Sequence, residues 1–490
     1  MTTSTTRPSS ARDMRTFVEE LDRAGLLRRV DKVVDRTWEP GSLVKWMYQA
    51  MPDDERFAFY FENVADSTFP LLTAAIGASS ATFALALGVA REAVNGRLLE
   101  ALRNRIAPHV ADSGVCQEVV TLGADASLNA LPIPTWTPGK DAGPYITTMV
   151  VTRNPSTGQQ NNGVYRTQVL DGHRVAVNLS PGRQGTRNVR LAHDAGQTAQ
   201  IAWVVGASPA VHIATVANLP YGQDEMELAG GLQGEPVQLV RCKTSDLLVP
   251  GNAEIIIEGE IASGERTMEG PFGEFAGYMG AVEERPIARI TAITHRKGAF
   301  YYGLTSQMPP SESTVMQSMT NAGLLLKVLR DDFGDESIAD VFIDLTFGGV
   351  LAHGIIAMAP RYPGHGKRIG RLAADFSGLK RVTVVDADID VRDALHVDWA
   401  LNSHYNPSRD TVIIDDVFFP IYMDPSLPID GAANAALGSK IVIDATSKRN
   451  PGTYSLPPRE TMMRALDVWN EIGLPHLTIP KRARQRIDRA

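Results

Sequence analysis

Apolar residues recur at helical spacing in the opening segment, where Phe17, Val18, Leu21 and Leu26 follow Asp13, a good cap, and Gly25 stands near the end. This predicts an amphipathic first helix, after which helices and short strands alternate through Val110. Near Val115 the period shortens. Runs such as Tyr145–Thr152, Arg174–Leu179, Ile201–Val205, Val211–Val216 and Glu254–Ile257 are β-type and are separated by Gly, Pro and Asn turns, the pattern of a barrel or sandwich. From about Ser311 a helix carrying Val315, Met319, Ala322 and Leu326 precedes strand-like runs at Ile356–Ala359, Val382–Val385 and Thr411–Ile414, which is α/β in character. A last helix, Pro458 to Ile472, leads into a basic tail, and no internal repeat is visible. The expected organisation is a mixed α/β and β chain: an N-terminal α/β domain (1–114), a central β barrel or sandwich (115–310), a C-terminal α/β domain (311–457), and a terminal helix with tail (458–490).

Composition narrows the class. With 490 residues, 43% of them hydrophobic and 21% charged, the chain can bury an ample core and is neither disordered nor fibrous. A net charge of −8 lacks the broad basic field that a phosphate backbone requires, so nucleic acid is not an expected partner. Lys481, Arg482, Arg484, Arg486 and Arg489 concentrate positive charge only in the tail, which reads as a solvated terminal helix. Cys116 and Cys242 are far apart and outside any CxxC pattern, which fits a reducing cytoplasm and excludes a structural zinc site. The polar stretch Met1 to Ser10 has no apolar run of the kind a secretory signal needs. Ser67 to Ala90 carries no charge, but Pro70, Gly77, Ser79, Ser80, Thr82 and Gly88 dilute it, and it divides into a strand, a turn and a helix start rather than a membrane span.

Common catalytic motifs are missing: there is no GxSxG, no HExxH and no GxGxxG between a strand and a helix. Gly364-His365-Gly366-Lys367 is not followed by Ser or Thr and is expected to be a Gly-rich loop entering a helix. Three polar clusters remain in the β-rich middle. In Asn161-Asn162-Gly163-Val164-Tyr165-Arg166 an amide oxygen suits a hard cation and a guanidinium can grip a carboxylate at two points. In Gln223-Asp224-Glu225-Met226-Glu227 three carboxylates stand at a helix start. In Glu269-Gly270-Pro271-Phe272-Gly273-Glu274 two carboxylates flank a tight turn. The neighbouring Phe272, Phe275 and Tyr278 imply partial burial, which raises a carboxyl pKa and suits a proton donor.

The strings NNGVYRTQV and EGPFGEFAGY resemble the two signatures of the UbiD-like decarboxylases, and further similar segments follow in the family's order over roughly residues 10 to 450. The resemblance implies that the central region is a split β-barrel binding prenylated FMN. It implies that Arg166, Glu269 and Glu274 form the catalytic set, and that Asn161 and Glu225 hold a divalent metal, manganese by preference, with potassium as a second candidate ion. Val164, Tyr165, Arg183, Gln184 and Lys440 complete the implied cofactor contacts. One departure stands out: where family members commonly carry a metal-ligating His, this chain has Gly182 to Gln184, so Gln184 could offer an oxygen and Arg183 could meet the phosphate. His173 and His193, the nearest histidines, are expected to be surface or core residues.

The implied activity is reversible, non-oxidative decarboxylation of an aromatic or heteroaromatic carboxylic acid. Loss of CO2 from an sp2 carbon leaves an electron pair that no side chain can accept, so a cofactor must serve as the sink. The partners implied are the small acid, a prenyl-FMN synthase supplying the cofactor, and further copies of the chain in a homodimer or homohexamer, with the Pro458–Ile472 helix as a candidate contact. A β-barrel flavin oxidoreductase using NAD(P)H and a noncatalytic assembly subunit are the two competing readings.

Overall fold

In the computed structural model the described residues are 12–346, 353–419, 424–426, 436–449 and 452–488. The Met1–Ser10 stretch and Arg489 lie outside them. The chain forms two compact units, residues 1–324 with 345–349, and residues 325–344 with 350–490.

The first unit opens as its pattern predicts. Helix Met14–Arg23 is capped by Asp13, whose carboxylate accepts from the Thr16 N–H, and it buries Met14, Phe17, Val18 and Leu21. Four strands make the adjoining sheet in the order Leu27–Val30, Ala58–Phe61, Leu71–Thr73, Tyr301–Gly303. The fourth strand arrives from beyond the barrel and pairs in parallel with Leu71–Thr73. The uncharged Ser67–Ala90 stretch supplies one strand of this sheet, a turn, and helix Ser80–Ala86 with a Ser79/Thr82 capping box. Among the described residues no helix is long and apolar enough to cross a membrane.

The central sheet has ten strands among the described residues, eight of them in the order Tyr145–Ile146, Thr167–Val169, Arg174–Val177, Glu283–His295, Ile255–Ile261, Ala199–Val205, Met149–Arg153, Gln160–Val164. The outermost strands in this order are tied across the opening by two-residue links. Thr147-Thr148 connects the first strand to the seventh, and Tyr165-Arg166 connects the eighth to the second. Three Cα steps span at most about 11 Å, so a flat sheet is impossible and the strands must curl into a half-barrel. Arg166 therefore sits at the seam. Inside, Trp203 is fully buried and its indole N–H donates to Thr167 Oγ1 at 2.9 Å.

One expected strand is a helix. Val211–Val216 falls in the buried helix Pro209–Thr215, in which Pro209 takes the first helical position, where its missing N–H costs nothing. Its β-branched residues follow burial here rather than strand propensity. The run Tyr145–Thr152 is two strands rather than one.

The second unit is a five-stranded sheet in the order Ile338–Ile343, His353–Met358, Arg381–Asp386, Ala436–Ala445, Thr411–Phe419, parallel at its centre and antiparallel at both edges. The Gly-rich loop does enter a helix, His365–Phe376. Gly366 and Gly370 let that helix lie against the sheet, since a Cβ at Gly370 would come 2.3 Å from Val442 Cγ1. The final helices, Arg459–Glu471 and Lys481–Asp488, bury no residue.

In this unit the Asp335 carboxylate accepts from Ser337 Oγ at 2.6 Å and Arg361 Nη2 at 3.0 Å, and it lies 2.6 Å from His365 Nε2. Burial alone would raise its pKa, but the bonds from Ser337 and His365 outweigh burial and hold it at about 2. A carboxyl depressed below its unfolded value of about 3.9 stabilises the fold above pH 4, and that contribution fades as pH falls toward 2. Asp335→Asn should therefore cost about 2 kcal/mol at neutral pH, with the gap to wild type closing between pH 4 and pH 2. Urea titrations over that range would read it, and a gap independent of pH would contradict this account.

Candidate active site

The seam strand places its polar run where the sequence pattern points. Tyr165 lies between Gly163 and Gly185, where a Cβ at either position would stand 2.9 Å from its ring. Seated in this slot, the phenol donates to Asn161 Oδ1 at 2.8 Å and accepts from the Gly185 N–H at 3.0 Å. Asn161 in turn donates from Nδ2 to Gln184 Oε1 at 3.0 Å. Asn161, Tyr165 and Gln184 are thus joined, although Gln184 is 23 positions further along the chain than Asn161.

Glu225 completes this cluster. Asp224 caps helix Glu225–Gln233 by accepting from the Met226 N–H, and Glu225, at the first helical position, turns inward and is 6% exposed. Its carboxylate accepts from the backbone and side chain of Asn162, both at 3.2 Å, and from Asn161 Nδ2 at 3.4 Å. Burial pushes the Glu225 carboxyl up to about 7, and the Asn162 hydrogen bonds only partly oppose it. The Oδ1 atom of Asn162 is buried with no hydrogen-bond partner among the described residues. A buried acid short of charge compensation beside an orphaned amide oxygen is a donor set suited to a hard cation. The set is one carboxylate with amide oxygens, since no group of three or more His, Cys, Asp or Glu is gathered for a metal among the described residues. His173 and His193 instead contact the backbone carbonyls of Ala126 and Ile261.

Val164 and Arg183 are exposed at the edge of this cluster, with Arg183 at the N-cap of helix Gln184–Asp194. The unpaired N–H groups and positive end of such a helix favour an anion. Lys440 lies in the second unit. Its ammonium donates to the Ser377 carbonyl at 2.6 Å and to that of Ala374, closing the end of helix His365–Phe376. Burial lowers its pKa.

The second cluster surrounds Arg166, 8% exposed. Its Nε and Nη2 form a two-point pair with Glu269, at 3.0 and 2.7 Å, and its Nη1 pairs with Glu274. Gly280 leaves room for this arrangement, since a Cβ there would stand 2.8 Å from Nη1. Phe272 lies under the guanidinium, 5.5 Å from ring centre to Cζ, and packs on Tyr145 at 4.4 Å. The turn from Glu269 to Glu274 is held by the Gly270 N–H on Gln168 and the Gly273 N–H on Asp141.

The burial expected from the flanking aromatics is met unevenly. Phe272 is 2% exposed and Glu269 fully buried, but Tyr278 is 51% exposed. Glu274 retains some exposure and lines a cavity of about 690 Å³ together with Lys45, Trp136, Thr137, Gln307 and Met308. Lys45, Thr137 and Gln307 escape a sequence reading. They come from three distant segments and carry no motif, and only the fold brings them to Glu274.

Three family models match in order: the N-terminal domain of 3-octaprenyl-4-hydroxybenzoate carboxy-lyase (UbiD) over residues 18–102, its Rift-related domain over 109–309 and its C-terminal domain over 314–445. Among solved structures, the chain is 30% identical to an evolved dimeric form of the UbiD-class enzyme HmfF from Pelotomaculum thermopropionicum in complex with prenylated FMN (prFMN). That match covers 91% of this chain and 97% of the other at a TM-score of 0.79. Vanillic acid decarboxylase of Sedimentibacter hydroxybenzoicus is 27% identical over 94% of this chain and 99% of its own, at a TM-score of 0.82. The 3,4-dihydroxybenzoic acid decarboxylase of Enterobacter cloacae shares the fold at 23% identity, covering 93% and 100% of the two chains at a TM-score of 0.80. With signature strings, half-barrel, paired clusters and all three domains in agreement, the chain belongs to the UbiD family of carboxy-lyases.

Proposed function

We propose that the chain catalyses the reversible, non-oxidative decarboxylation of an aromatic or heteroaromatic carboxylic acid with prenylated FMN. The observation that carries this is Glu274, which reaches from the Arg166 ion pair to the wall of a cavity large enough for such an acid. Prenylated FMN, when bound, supplies the electron sink that side chains lack. Asn161 and Glu225 would hold a divalent metal, manganese or with potassium beside it. Val164, Tyr165 and Gln184 would line the flavin and Arg183 would meet its phosphate, whereas the Lys440 ammonium is engaged within its own unit by the Ala374 and Ser377 carbonyls.

The protein's own part is orientation and proton handling. Glu269 occupies the Nε/Nη2 edge of Arg166 and fixes the plane of the guanidinium. Nη1 is shared with Glu274, so an incoming carboxylate that takes Nη1 releases Glu274. The released carboxyl, protonated from the cavity side, delivers a proton to the carbon that CO2 leaves, so one carboxylate and one proton become the arene and CO2. Two buried cysteines without a disulfide support a cytoplasmic setting.

Glu274→Gln should retain the flavin spectrum and lose about two to four orders of magnitude in CO2 release, the usual range for a missing proton donor. Near-wild-type turnover would remove Glu274 from this role. Glu225→Ala should emerge from purification with less bound flavin, and an unchanged flavin absorbance would count against its part in cofactor retention. Helix Arg459–Glu471, with Met463 and Val468 exposed, supports assembly through the C-terminal region. Light scattering after gel filtration should give fewer subunits per particle for a chain ending at Leu456 than for the full chain, and equal subunit numbers would exclude this helix as the contact.

A further inference from the structure

The cavity beside Glu274 holds more hydrogen-bond donors than the decarboxylation uses. Among the described residues Lys45 Nζ and Gln307 Nε2 are buried without a hydrogen-bond partner, and both residues line this cavity together with Thr137, whose buried hydroxyl lies beside Asp141. Two orphaned donors beside a buried hydroxyl in one cavity are unusual, because buried polar groups are normally satisfied. The arrangement is built rather than accidental. Gln307 is 3% exposed, and its Oε1 accepts from the Ser306 N–H at 3.3 Å, which leaves the NH2 end unengaged. Asp141, the acid nearest Lys45 in charge, is engaged by the Thr137 and Gly273 N–H groups at 2.7 and 2.9 Å. The Thr137 and Gln307 side chains press on Gly273, where a Cβ would stand 2.5 Å from Thr137 Oγ1 and 2.7 Å from Gln307 Cγ. The donors are thus packed on the residue next to the proposed proton donor.

Resting on the decarboxylase reading, we infer that Lys45, Thr137 and Gln307 form a subsite for a second carboxylate on the substrate ring, so that the preferred substrate is an aromatic dicarboxylic acid of which one carboxyl departs. A carboxylate is acceptor-only and offers about four lone-pair sites, which suits an ammonium, an amide NH2 and a hydroxyl able to donate. Trp136, Met279 and Met308 give the ring an apolar wall. Burial holds the Lys45 ammonium down to about 7, against the opposing charge of Asp141, so an anion beside it would restore its charged form. Lys45 is a specificity residue here and touches no departing atom.

Calorimetric titration of the full chain with benzoate, isophthalate and terephthalate tests the subsite apart from turnover. One dicarboxylate should bind at least about tenfold tighter than benzoate, as expected for an added charge-assisted contact. Lys45→Met should erase that advantage while leaving benzoate affinity within about twofold, Lys45→Arg should keep most of it, and Gln307→Glu, which offers Lys45 an internal carboxylate, should also erase it. Equal binding of mono- and dicarboxylates by the wild type, or an advantage that survives Lys45→Met, would overturn the subsite. The activity stands or falls separately: a binding preference without CO2 release from the reconstituted enzyme sinks the decarboxylase reading and leaves the subsite, whereas CO2 release without a preference does the reverse.

Discussion

A guanidinium enclosed between two carboxylates is the interaction on which the site depends. Arg166 is nearly out of contact with water, and a charge so placed is tolerable only if its donors are occupied in good geometry. Glu269 meets that need at one edge and Glu274 at the other. Because Arg166 lies in the link that closes the curled sheet, the ion pairs also fix how the two ends of the half-barrel meet. Losing Glu269 would strip the guanidinium of its two-point partner and leave Glu274 alone to balance it, so these acids also hold the seam.

The Glu225 cluster works in the opposite electrostatic sense. There an acid is buried among amides with no cation beside it, and its carboxyl rises toward neutrality. The two clusters come from one six-residue stretch: Asn161 and Asn162 face Glu225, while Arg166 faces Glu269 and Glu274. Tyr165, held in its glycine slot, separates them and fixes the turn from one to the other. A single short segment thus organises two opposite clusters side by side, an acid among amides and a guanidinium between acids.

Much of this was legible in the chain. The first helix, the Gly-rich entry into His365–Phe376 and the change to β-type runs near Val115 follow from local periodicity, which residues close in sequence decide among themselves. The acids that flank Arg166 were legible through signature strings. What escaped was decided by tertiary contact. Val211–Val216 has strand-like composition, yet complete burial and Pro209 make it helical. Tyr278 belongs to an aromatic-rich run but points to solvent. Lys45, in a helix whose Val44, Met47 and Tyr48 are buried, carries no local sign that its ammonium is enclosed against the Glu269–Glu274 turn.

The strand Tyr301–Gly303 inserts beside Leu71–Thr73, more than two hundred residues earlier in the chain, and is the only described strand completing that side of the N-terminal sheet. During synthesis the first hundred residues must therefore wait, with one sheet edge bare, until the whole barrel has left the ribosome. Closing so long a loop is entropically slow, and the unpaired edge is open meanwhile to mispairing. A fragment cut after residue 114 would lack its sheet's fourth strand, so Tyr301–Gly303 belongs to the same folding unit as Leu71–Thr73.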